Sequence, residues 1–244
     1  MTLLWVYQYS QKDAGIVDVG WAISIGVLSA TYFFWGEGDN TRKQVACVFV
    51  ILWSLRLGLY LLFNRVIGKE EDGRYKALRA HWGERQHLYF FLFFQAQAQL
   101  AVLLSLPMIL VVNDKTPFGT PLDVIAVAFM TISLAGESVA DYQLAKWRKN
   151  PAHKGQTCRA GLWRYSRHPN YFFEWLHWWF YVAITIHLPL GWLSLGLPAL
   201  MLYFLLRVTG IPYTEMQAIR SRGDDYRHYQ RTTSAFIPWF PKKG

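Results

Sequence analysis

The chain has 244 residues, of which 53% are hydrophobic, 17% aromatic and 17% charged. A soluble domain carries about 25% charged residues, so the apolar excess has to be buried in a bilayer, and the composition is that of an integral membrane protein. The formal charge of +9 raises nucleic acid as a partner, but its distribution along the chain accounts for it without one.

Six stretches approach the roughly 17 to 25 apolar residues that cross a bilayer: about 16–35, 45–63, 90–112, 122–142, 170–187 and 190–207. They predict an all-α polytopic bundle forming a single domain over 1–244. No A-x-A-like cleavage site follows the first stretch, so it reads as a span and not as a removed signal. Cys47 and Cys158 do not make a disulfide framework. Of the 25 Lys and Arg, 21 fall in the segments on one side of the alternating spans, including Lys242 and Lys243 in the tail. The positive-inside rule then puts both termini in the cytoplasm. Most of these cations need do no more than orient the chain and meet lipid headgroups.

Several polar groups stand where spans begin or run. Asp18 lies just inside the first span, either at the headgroup boundary or deep enough to stay neutral and donate a hydrogen bond. Arg56 lies within the second span, where a charge at the centre costs about 2.5 to 3.5 kcal/mol. It either snorkels to the membrane edge or faces the bundle interior. The following GKEEDGRYKALRAHWG predicts a short amphipathic helix resting on the membrane surface. The outer loops GEGDN and NDKTPFGTP read as connectors. Glu137, Asp141 and Arg148 share one helical stripe at the end of the fourth span, where acids can accept from ribose hydroxyls and Arg can meet phosphate. Ordinary helix-end ion pairs account for them equally well.

The run GLWRYSRHPNYFFEWLHWW, residues 161–179, passes from a basic loop straight into an aromatic span. Pro169 suits a first helical turn, and the free N–H groups of a helix start, with Arg164 and Arg167, favour an anion. Glu174 lies one turn beyond Asn170 on the same face. His177 gives an E-x-x-H spacing with Glu174, but the other histidines are scattered, so no metal is expected. His168 reads as shaping the loop, and Arg207 and Glu215 can close over the site from the tail.

With Asp141-Tyr142, Arg148, the R-Y-S-R-H-P-N-Y-F-F-E run and the closing F-I-P in place, nearly the whole chain resembles the steroid 5α-reductase family, most closely its bacterial branch. The R-H-P-N-Y run also occurs in isoprenylcysteine carboxyl methyltransferases and sterol C14-reductases. The resemblance implies an enzyme of a bacterial inner membrane that binds NADPH and reduces the C=C bond of an apolar enone such as a Δ4-3-ketosteroid. It implies cofactor contacts from Arg56, Arg65, Glu137, Asp141, Arg148, Tyr165, Arg167, His168, Asn170, Arg207 and Glu215. It makes Glu174 and Asp18 the catalytic candidates, with Asp18 and Trp53 on the substrate side. The family's ketone-polarising Tyr falls at Trp53, which has no acidic hydroxyl; Glu137 replaces an Asn, and the family's first span of seven is not found. A second reading is an S-adenosylmethionine-dependent methyltransferase of a lipidic substrate, which usually carries two adjacent tail glutamates where this chain has Glu215 alone. A third is a membrane protein that keeps the pocket without turnover.

Overall fold

The computed structural model describes residues 1–208 and 210–242; Lys243, counted above among the tail cations, lies outside them. The chain divides into two compact units, Met1–Phe118 and Gly119–Gly244. Every regular element among the described residues is helical. Five helical runs are long and apolar enough to cross a membrane: Ile16–Trp35, Asn40–Val66, Gly73–Asn113, Pro121–Lys149 and Gly191–Arg222. The remaining expected span, about 170–187, forms a helix of 17 residues, Pro169–Thr185, at the lower limit of what spans a bilayer. The protein is an all-α, polytopic integral membrane protein.

In the first unit, α1 (Thr2–Gln11) precedes the long helices α2 (Ile16–Trp35) and α3 (Asn40–Leu61). A π-helical turn, Leu62–Val66, leads from α3 to α4 (Gly73–Trp82), α5 (Gln86–Ser105) and α6 (Pro107–Asn113). Small residues bring α2 and α3 together: Gly26 faces Ser54 and Gly58 faces Ile23, and Ser54 Oγ donates to the Ala22 carbonyl at 2.8 Å. Without water to drive them together, helices in lipid associate through such close packing.

Two expectations for this unit change. The amphipathic helix α4 does not depend on the membrane surface for its apolar face. Tyr75 is buried, and Leu78 and Trp82 pack with it against a core containing Val17, Phe90 and Phe94. The loops around Gly36–Asp39 and Asp114–Thr116 are more than connectors. Gly38 N–H donates to the Val112 carbonyl and Asp39 N–H to that of Asp114, both at 2.8 Å. Between them Arg42, fully buried, pairs with Asp114 at 3.1 Å and donates to the Thr116 carbonyl.

In the second unit, α7 (Pro121–Lys149) starts from a capping box in which Thr120 and Asp123 satisfy each other's backbone N–H. It packs along α8 (Pro169–Thr185). Gly136 lies so close to Phe173 that a Cβ there would come within 2.4 Å of its ring. Ser133 Oγ donates to the Phe173 carbonyl at 2.6 Å beside it. Then follow α9 (Gly196–Tyr203), a second π-turn (Phe204–Val208), α10 (Ile211–Arg222) and α11 (Asp224–Thr232).

In each unit a π-turn bearing an arginine, Arg65 or Arg207, follows a helix, α3 or α9. Each π-turn is followed by a short helix that stops at a glycine. Gly83 has φ 52°, ψ −126° and Gly223 has φ 56°, ψ −125°, a region that side-chain-bearing residues avoid.

Removing one partner of a buried pair strands the other charge, at about 3–5 kcal/mol. Arg42→Met should therefore lower the unfolding free energy of detergent-solubilised protein by that amount, whereas Arg42→Met with Asp114→Leu should regain most of it. A single variant as stable as the parent would mean that the pair does not carry this loop junction.

Candidate functional site

The expected site residues fall in both units. In the first, Asp18 accepts from Arg74 Nη2 at 2.9 Å and from the Tyr75 hydroxyl at 2.7 Å. Asp18 thus serves as the acceptor for two side chains of α4. Its place in the structure is to tie α4 to the start of α2. Trp53 is fully buried and meets the Trp21 ring edge to face at 6.1 Å, a core position. Arg56 is half-buried, with its guanidinium over the Tyr60 ring. Arg65, in the π-turn, lies 3.9 Å from the Asp72 carboxylate.

In the second unit, α7 and α8 enclose a polar seam. Glu137 and Asp141 on α7, and Glu174 on α8, are all buried. Asn170 Nδ2 donates to Asp141 Oδ1 at 3.3 Å, linking the two helices at the mouth of the seam. The i, i+4 spacing of Glu137 and Asp141 and of Asn170 and Glu174 puts each pair on one face of its helix. Buried acids at a helix–helix contact are expensive and concentrate at functional positions.

The seam runs deeper than the sequence reading took it. His177 is fully buried, edge-on to Tyr181. Tyr181 is fully buried too, and its hydroxyl has no hydrogen-bond partner among the described residues. Tyr181 follows Glu174 by seven residues, two helical turns on the same face. That spacing was visible, but one tyrosine among so many aromatic residues gave no reason to single it out.

The loop before α8 reaches the tail instead. Arg167 Nε donates to Glu215 Oε1 at 2.6 Å, and its Nη1 donates to the Gln230 and Thr233 carbonyls at 3.0 and 2.6 Å. His168 Nε2 lies 3.2 Å from the same Glu215 oxygen, and Gln230 donates to Oε2. The Tyr229 hydroxyl donates to the Trp163 and Ser166 carbonyls. The Tyr165 carbonyl accepts from Trp239 N–H at 2.9 Å, while its ring meets Phe240. Arg167, His168, Glu215 and Tyr165 were expected to contact a cofactor; the structure joins the first three to one another and Tyr165 to the tail. Arg167 Nε and Nη1, His168 Nε2 and both Glu215 carboxylate oxygens have protein partners.

Arg148 and Arg207 are exposed. No hydrogen bond or ion pair holds Arg148 among the described residues. It lines a cleft of about 400 Å³ at the end of α7, together with Trp147, Lys149, His153, Lys154 and Arg222.

Residues 4–233 match a family described as a protein of unknown function (DUF1295). The chain belongs to the DUF1295 family. Comparison with curated proteins and with solved structures returned no match. The match embraces both units of this DUF1295 protein, the α7–α8 seam and most of the clamped tail.

Burial holds the His168 imidazole below its ordinary value of 6.5, against the pull of Glu215. A group with a lowered folded value contributes stability that is complete above pH 6.5 and is lost as pH falls toward that folded value. The melting temperature should therefore drop between pH 7.5 and 5.5, and His168→Gln should flatten the drop. An unchanged slope in that variant would remove His168 from the clamp's titration. Arg167→Gln should speed hydrogen exchange in Asp224–Thr233 while leaving α7 protected.

Proposed function

We propose that the protein is a membrane oxidoreductase that uses NADPH to reduce the C=C bond of an apolar, steroid-like enone. The observation that carries this reading is the buried seam of Glu137, Asp141, Asn170 and Glu174, on the residues that resemble the cofactor-binding motif of steroid 5α-reductases. The same resemblance places the seam toward the cytoplasm.

The residues present suit a dinucleotide. Buried carboxylates and an amide accept and donate to hydroxyls and a carboxamide, and Arg148, without a counter-ion of its own, suits phosphate. When bound, NADPH supplies the hydride. Glu137 and Asp141 would accept from cofactor hydroxyls, and Asn170 and Glu174 would orient its amide. Arg167, His168, Tyr165 and Glu215 would act indirectly, by holding the tail against the loop that leads into α8. The aromatic walls of α8 exclude water, which strengthens every polar contact among them.

Reduction of an enone needs a proton donor that stabilises charge on the carbonyl oxygen as the hydride arrives. Trp53 cannot act so, and Asp18 is engaged with Arg74 and Tyr75. The Tyr181 hydroxyl is buried with no hydrogen-bond partner among the described residues, and it takes that role in this proposal.

The competing reading is a methyltransferase that uses S-adenosylmethionine on a lipidic substrate. That reading usually has two adjacent tail glutamates where this chain has Glu215 alone, and Glu215 is already bound to Arg167 and His168.

Saturating NADPH should raise the melting temperature of the purified protein, and Asp141→Asn and Arg148→Ala should each reduce that rise. Tyr181→Phe should leave the rise intact and lower kcat on an enone panel by about 10²-fold or more. Stabilisation by S-adenosylhomocysteine with none by NADPH would turn the assignment to the methyltransferase.

A further inference from the structure

The cleft beside α7 has a composition that its surroundings do not explain. Arg148, Lys149, Lys154 and Arg222 line it with His153 and Trp147, and no carboxylate does. Helix dipoles favour cations in a last turn by about 0.3–1 kcal/mol, which accounts for basic residues at the end of α7 and at the end of α10 taken singly. It does not account for both ends opening on one concavity whose lining has no acid; Asp225 acts on Arg222 from outside the lining, where it also holds Thr157 and Arg159. Like charges gathered there repel unless an anion joins them.

The walls are fixed in place. The His153 ring stacks on Trp147 at 3.6 Å and 13°, and its Nδ1 lies 3.2 Å from the Trp147 carbonyl, so that nitrogen carries the proton. The Arg222 guanidinium lies over the Tyr226 ring at 5.1 Å. Behind the cleft, Asp225 takes Thr157 N–H at 2.7 Å and Arg159 Nη2 at 2.8 Å, which ties the loop to the start of α11. The Trp147 indole N–H is buried and has no acceptor among the described residues. About 400 Å³ is within the roughly 300–1,000 Å³ of small-molecule sites. It is enough for a phosphate and part of the group that carries it.

We propose that this cleft binds a phosphate ester, anchored by Arg148 and Arg222 with Lys154 at its rim. Two molecules carry that group to this place: a nucleotide with a phosphate on its ribose, and an anionic lipid. For a nucleotide the proposal rests on the reading of Arg148 as a cofactor-phosphate contact, though not on hydride transfer; for a lipid it stands without that reading. A protein that reduces no enone can still fill this cleft, and an empty cleft leaves the buried seam of α7 and α8 as it is.

The test uses full-length protein in nanodiscs of phosphatidylcholine, with calorimetric titration of adenosine 2′,5′-bisphosphate. A parallel arm measures phosphatidylglycerol retained from mixed nanodiscs by native mass spectrometry. Arg222→Gln and the exposed-loop variant Lys154→Gln are compared with Lys146→Gln, a cation outside the cleft. Loss of one charge-assisted bond should weaken the bound probe about tenfold, with Lys146→Gln unchanged and affinity falling as salt rises. Weakening of the bisphosphate alone assigns the cleft to a nucleotide, and loss of the lipid alone assigns it to a headgroup. If neither probe responds to either cleft variant, or if Lys146→Gln has the same effect, the proposal is wrong.

Discussion

A charge drawn out of water among apolar helices must find an opposite charge close by, and that requirement organises both units. Arg42 is wholly buried against Asp114, Arg74 reaches Asp18, and Arg167 reaches Glu215. Each pair joins segments far apart in the chain, so each also acts as a long-range fastener. Hydrophobic burial alone lets long helices slide and rotate against one another. An ion pair flanked by backbone hydrogen bonds fixes their register, because losing it leaves two charges without water or partner.

The same rule separates structural polar groups from those available for chemistry. Arg167 gives three hydrogen bonds to the tail, which commit its Nε and Nη1. Arg148 stands beside a cleft with no such engagement. The seam of Glu137, Asp141, Asn170 and Glu174 lies between these extremes: it is polar, largely buried and bridged by the Asn170–Asp141 bond of 3.3 Å. Its walls are held by packing as close as that of Gly136 against Phe173, so the polar groups keep their positions without having to hold the helices together.

Much of the fold was legible because a span is a local property: the apolar run is long, contiguous and bounded by charge. The boundaries of α2 coincide with the apolar stretch, and Pro169 marked the start of α8. What a short amphipathic helix packs against is not local. The pattern of Tyr75, Leu78 and Trp82 says that an apolar surface covers them, but a bilayer and a protein core satisfy it equally. The core cluster around Phe90 and Phe94 decides the matter. Arg167 posed the same difficulty. A cation beside a helix start suits a phosphate as well as a carboxylate, and Glu215, 48 residues later, has no periodic relation to it. The Glu137, Asp141, Asn170 and Glu174 faces, set by spacing within single helices, were readable in advance. Tyr181 needed burial and hydrogen-bond geometry to stand apart from its aromatic neighbours.

The paired exits from α3 and α9 have a consequence for how such a chain can change. What the segments ending at Gly83 and Gly223 share is a succession of torsions: a widened turn, an arginine, a short helix and a glycine with nearly the same φ and ψ. Their letters differ, and so do their neighbours: α4 meets acids from its own approach and from α2, and α10 meets the tyrosines and Gln230 of the tail. Drift is therefore free to rewrite the faces of both helices while the two glycines stay. The likeness lies in backbone angles, where a comparison of side chains does not reach.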